Sequence, residues 1–135
     1  MAKKIKLVKP LSSAEFDILR KCRVDPFEFS KHVKVVHPMH GRVPFILYPY
    51  QVAVLIAFLK NRFTILKKFR QAGITELIAM YCLWYAMYHD NKNVVIISIK
   101  DRVAKKVLRR IKYMYNNLPD YLKVPVANGR GEDIG

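Results

Sequence analysis

The ten residues Lys67–Glu76, KKFRQAGITE, decide how the whole chain is read. They join an apolar run, "FTILKK" (63–68), to a long helical pattern, "TELIAMYCLWYAMYHD" (75–90). A phosphate-binding loop of the GxxxxGK[ST] type sits at such a junction. Here Lys68 occupies the position of the first glycine and Ile74 that of the lysine, while Gly73 and Thr75 match the pattern. A phosphate cradle needs a strand to aim the loop, small residues, a helix N-terminus presenting amides, and a cation. Ala72 and Gly73 are small, and the helix opens near Thr75, whose hydroxyl stands at the Mg²⁺-ligand position. The cations Lys67, Lys68 and Arg70 precede Gln71 and the glycine instead of following it. The same residues also suit a basic strand-to-helix turn hinged on Gly73, because a lone Gly-x-Thr is a weak signal.

Working outward, "SSAEFDILRKC" reads as a short helix capped by Ser12 or Ser13. Asp25-Pro26 stops it and opens another over Phe27–His32. "KVVHPMHGRV" reads as a loop punctuated by Pro38 and Gly41, and "VPFILY" (43–48) as an extended run. "YQVAVLIAFLKN" is a helix, "FTILKK" a strand, and "VVIISIK" a continuous apolar strand of the kind buried in a parallel sheet. "DRVAKKVLRRIKYMYNNL" is a helix in which Val103, Val107, Ile111, Met114 and Leu118 recur at helical spacing. This order predicts an α/β fold, a parallel sheet with right-handed crossovers. Residues 1–41 form a basic arm and helical segment, and 42–135 an α/β core that reads as the incomplete opening of a larger domain.

The chain has 135 residues, 52% of them hydrophobic, enough for a core and too apolar for disorder. The most apolar segment, Leu77–Tyr88, is too short to span a bilayer, and the basic N-terminus lacks the apolar stretch of a signal peptide. Two distant cysteines, Cys22 and Cys82, fit a reducing compartment. Lysine and arginine total 25 against 10 acids, a net charge of +15 that points to a polyanion: nucleic acid first, an anionic membrane surface second.

Part of that charge is concentrated. Lys100, Arg102, Lys105, Lys106, Arg109, Arg110 and Lys112 lie against Asp101 alone, on the helix side opposite the apolar positions. Lys105, Lys106, Arg109 and Arg110 are candidate contacts to a DNA backbone, with no motif for base readout. Cys22, His32, His37 and His40 lack the spacing of a structural zinc site. Tyr81, Trp84, Tyr85 and Tyr88 recur at helical spacing and read as core. No nucleophile–base or paired-carboxylate constellation can be assembled.

Taken in order, "DPFEFSKHVKVVHPMHGRVPFILYPYQ", "FTILKKFRQAGITELIA" and "NVVIISIKDRVAKKVLRRIKYMYNNLPDYL" resemble the N-terminal ATPase domain of the large terminase subunit, the DNA-packaging motor of tailed bacteriophages. The likeness runs through Asp-Pro-x-x-Phe, a His-Pro turn, Pro-x-Gln and Lys-x-Arg-Gln-x-Gly-x-[Ser/Thr], over roughly residues 25–122. It implies a P-loop NTPase of the ASCE type with ATP and Mg²⁺ as ligands. Gln51 would contact adenine. Lys68, or its neighbour Lys67, would be a displaced phosphate lysine, and Arg70 an arginine acting in cis on the γ-phosphate. Gln71, Ala72, Gly73, Ile74 and Thr75 would complete the loop, with Thr75 reaching Mg²⁺. Double-stranded DNA, a portal protein, a small terminase subunit and further copies in a ring would be the partners, in the host cytoplasm and without a membrane. The family's Mg²⁺-binding and water-orienting carboxylates and its nuclease domain have no counterpart in these residues, so the chain is expected to bind nucleotide without hydrolysing it alone. Two alternatives are a non-catalytic basic nucleic-acid-binding protein and the first lobe of a helicase-like ATPase.

Overall fold

The computed structural model describes residues 10–70 and 72–124. Five α-helices carry the architecture: α1 (Ser13–Val24), α2 (Pro26–Ser30), α3 (Pro49–Lys60), α4 (Ile74–Tyr88) and α5 (Asp101–Asn116). A short 3₁₀ turn follows at Asp120–Leu122. Local sequence explains the starts. Ser12 caps α1 in a reciprocal capping box: its hydroxyl accepts from the Glu15 amide at 3.2 Å, and the Glu15 carboxylate accepts from the Ser12 amide at 3.1 Å. Asp25 then caps α2 by accepting from the Phe27 amide at 2.8 Å, with Pro26 in the first turn, where a missing N–H costs nothing.

Helix α4 is the axis of the core. Its Leu77, Ala79, Met80, Leu83 and Trp84 are buried, and α1, α2, α3 and α5 all pack on it. Trp84 donates its indole N–H to the Cys22 carbonyl of α1 at 2.8 Å. Phe29 of α2 meets Tyr88 edge-to-face at 5.7 Å, and the Tyr88 hydroxyl donates to the Leu122 carbonyl at 2.8 Å. On α5, Met114 is buried and Val107 and Ile111 pack against the core, as does Leu118 just beyond the helix, whereas Val103 at the start is left exposed. No helix among the described residues is long and apolar enough to cross a membrane.

The parallel sheet is where the sequence misleads. Among the described residues the only sheet is an antiparallel hairpin of β1 (Lys34–His37) and β2 (Gly41–Pro44), pairing Val35 with Val43 and His37 with Gly41. The P-loop NTPase architecture expected above is therefore corrected to a mostly helical fold with one hairpin. Residues 63–69 and 92–98 form neither helix nor strand, and no backbone hydrogen bond joins either to a neighbour among the described residues. Their side chains face solvent: Ile65 is 99% exposed and Ile97 89%. β-branched apolar residues favour an extended chain, but a sheet also needs a second backbone about 4.8 Å away. The core is closed by helix packing on α4 instead.

The hairpin arises in the stretch read as a loop. The His37 Nδ1 accepts from the Met39 and His40 amides at 3.1 and 3.2 Å, and Gly41 takes φ +67°, so that Pro38–His40 make the turn.

Cys22 is fully buried, and burial, reinforced by the Glu28 and Asp25 carboxylates, pushes its thiol up to about 11 from an ordinary value of 9.0. The neutral thiol is thus favoured by folding. Its contribution to stability is present below about pH 9 and is lost as the pH rises through about 11. At pH 8 a disulfide-exchange reagent should modify Cys22 in the folded chain at least about a hundredfold more slowly than in urea, because a thiolate must form and be reached. Equal rates in both states would remove Cys22 from the core.

Candidate phosphate-binding loop

The loop is fixed from behind by the start of α3. Pro49 opens that helix, and Gln51, its third residue, is only 1% exposed. The Gln51 Oε1 accepts from the Tyr48 amide at 2.9 Å, and its Nε2 donates to the Gly73 carbonyl at 3.0 Å. A backbone N–H requires the oxygen and a carbonyl requires the nitrogen, so the two partners set the amide's orientation. The neighbouring Tyr50 hydroxyl donates to the Ala72 carbonyl at 2.5 Å. Two consecutive residues of α3 therefore hold two consecutive carbonyls of the loop, while Ala72 and Ile74 are buried beside them.

Gly73 adopts φ +70°, a left-handed conformation that lacks the steric penalty of a side chain only in glycine. It stands at the N-cap of α4 with no side chain to cap the helix. The amides of Ile74, Thr75 and Glu76 belong to the first turn, whose donors have no partner within the helix, and the positive end of the helix dipole lies there. Lys67, Lys68 and Arg70 are exposed and form no ion pair among the described residues. Gln71 lies outside the described residues.

The structure thus brings Gln51 together with Gly73 and places the three cations on the limb leading in. Gln51 is 1% exposed with both ends of its amide engaged, so the expected adenine contact would require the side chain to be uncovered first. An aromatic face that the sequence did not single out stands nearby: Tyr48 stacks on Tyr50 at 5.7 Å, and Phe69 lies 6.1 Å from Tyr50. All three rings are exposed, and their scattered positions in sequence left no periodic signal.

Thr75 is half-buried at the second position of α4. No group of three histidine, cysteine or carboxylate side chains could hold a metal among the described residues. One hydroxyl at a helix start does suit Mg²⁺ carried by nucleotide phosphates, since that ion commonly takes one or two protein ligands plus phosphate oxygens and water. The adjacent Glu76 carboxylate is engaged by Arg110 of α5.

That ion pair divides the basic face of α5. Arg110 is occupied by Glu76, and Lys105 by Asp101 at 2.7 Å. Lys106 and Arg109 are exposed and form no ion pair among the described residues, and Arg109 lines a cavity of about 350 Å³ with Val36, Glu76 and Tyr113. No protein-family model matches the sequence.

Proposed function

We propose that the chain binds the phosphates of Mg·ATP at residues 67–75 and serves as the nucleotide-binding part of a viral DNA-packaging motor of the large-terminase type. The clamp of Gln51 on Gly73 carries this reading. It holds a left-handed glycine at the mouth of α4, whose first-turn amides have no partner within the helix, and Lys67, Lys68 and Arg70 precede it in the chain. The order of motifs along the chain supports the same reading, and the exposed rings of Tyr48, Tyr50 and Phe69 offer a face on which a base can stack. In this reading Lys68 contacts phosphate oxygens from the limb before the glycine, and Thr75 contacts Mg²⁺. The ion, when bound, neutralises phosphate charge. The strand that aims such a loop in a P-loop NTPase is absent among the described residues, where 63–69 is unpaired, so the aim comes from the α3 contacts of Tyr50 and Gln51 instead. Lys106 and Arg109 would meet the backbone of double-stranded DNA.

Calorimetric titration with Mg·ATP tests it. The unaltered chain should bind saturably, and Lys68→Ala should weaken binding about 10- to 100-fold, the range for losing a charged hydrogen bond. Binding unchanged by both Lys68→Ala and Thr75→Ala would remove the loop from the site. A folded chain that ignores ATP but binds duplex DNA through Lys106 and Arg109 would favour a basic nucleic-acid-binding protein, the reading those two exposed cations support.

A further inference from the structure

We propose that the cleft beside the unpaired segments 63–69 and 92–98 accepts an extended strand of a partner polypeptide, apolar at its centre and acidic at its ends. The backbone supplies the first argument. Each non-proline residue carries a donor and an acceptor, and neither segment pairs its backbone groups with another part of the chain among the described residues. Side chains supply the second. Phe63, Ile65, Val95 and Ile97 are each more than three-quarters exposed, an apolar content far above what a solvated loop carries. Backbone with unpaired hydrogen-bonding groups and β-branched side chains is the kind of surface to which a strand adds.

Geometry places the two segments on one site. Val94 and Val95 of the second segment line an open cavity of about 490 Å³ with Arg62, Tyr81 and Tyr85, and Thr64 of the first lines an adjoining one of about 310 Å³ that shares Arg62 and Tyr81 with it. An added strand there would meet an aromatic floor and the unpaired backbone of Val94 and Val95.

Charge selects the occupant. Lys60, Arg62, Lys67, Lys68 and Arg70 attend the first segment, with no acid within 60–70. At the second, Lys92 and Lys100 stand beside Asp90 and Asp101, the latter paired with Lys105, so the basic flank is that of the first segment. Acidic ends on the incoming strand complement this flank. A second copy of this chain would bring its own net charge of +15 and the same basic flank, so self-pairing is opposed.

The test uses the full chain without nucleotide and a fluorescein-labelled peptide of alternating valine and threonine with two glutamates at each end. Anisotropy should show saturable binding. A peptide N-methylated at alternate central amides should bind at least about fivefold more weakly, the factor for one lost backbone hydrogen bond. Ile97→Pro should weaken binding to a similar extent, and circular dichroism should report an unchanged fold because that side chain is exposed. Replacing the terminal glutamates by lysines should also weaken binding, increasingly so at low salt. Absence of peptide binding, or equal binding of the N-methylated or lysine-ended peptides, overturns the proposal. Self-association in sedimentation that Ile97→Pro abolishes would overturn it in favour of a second copy.

Discussion

Trp84→Ala should lower the free energy of unfolding by about 3–5 kcal/mol, the range for truncating a large buried aromatic. Trp84 is 4% exposed in the middle of α4 and makes two kinds of interaction there. Its ring fills space between helices, with the His89 imidazole edge-on at 4.7 Å and Tyr81 at 5.9 Å. Its indole N–H satisfies the Cys22 carbonyl at 2.8 Å, a bond across 62 residues of sequence. Alanine removes both and leaves a buried acceptor without its donor. Trp84→Phe separates the two contributions. It keeps most of the packing and should cost about 1–3 kcal/mol for the lost hydrogen bond and the smaller ring. Because Trp84 is the only tryptophan, its fluorescence follows unfolding of the unaltered chain, and the variants must be followed by far-ultraviolet circular dichroism in urea. Losses below about 1 kcal/mol for both variants would mean that α1 does not dock on α4 through this residue.

The contrast between helices and strands shows what kind of information the sequence holds. The helices were legible because their signals are local. Ser12 and Glu15 cap within one turn, Pro26 and Pro49 open helices at their first positions, and the apolar spacing of α5 marks the face that Val107, Ile111 and Met114 turn to the core. A strand's signal is local only for conformation. "FTILKK" and "VVIIS" read as strands but form none among the described residues, because the pairing that makes a sheet depends on another backbone that no local pattern specifies. The hairpin was missed for the converse reason. Pro38, Gly41 and two histidines resemble loop punctuation, and the pairing of Val35 with Val43 depends on a turn built by a histidine nitrogen. The site divides the same way. Gly73 and Thr75 stood out by spacing, whereas the bonds from Gln51 and Tyr50 to the loop cross 22 residues. The Glu76–Arg110 pair joins two helices whose sequences give no hint of each other.

Gly73→Ala should destabilise the chain by about 2–4 kcal/mol through two separable effects. One is conformational: φ +70° costs a residue with a β-carbon about 1–2 kcal/mol. The other is steric, because a β-carbon at Gly73 would stand 2.8 Å from the Gln51 Nε2, which is buried and already bonded to the Gly73 carbonyl. Gln51 cannot retreat without releasing that bond or the one from the Tyr48 amide. Gln51→Ala alone should also destabilise, by about 1–3 kcal/mol, since it removes both bonds and the cap they give α3. The double variant decides between a clamp and two independent residues. If Gln51 and Gly73 act as one unit, alanine at 51 clears the space the new β-carbon needs. The double variant should then be more stable than the sum of the single losses predicts, by about 1 kcal/mol or more. Strict additivity in urea titrations would mean that the two residues do not restrain each other. Mg·ATP binding gives a second readout. Under the phosphate-loop reading, the double variant should regain stability relative to that sum while nucleotide affinity stays low, because the amides of α4 keep their orientation only when Gln51 holds the loop. Full affinity in the Gln51→Ala chain would detach nucleotide binding from the clamp and shift it to the cations of the incoming limb, Lys67, Lys68 and Arg70.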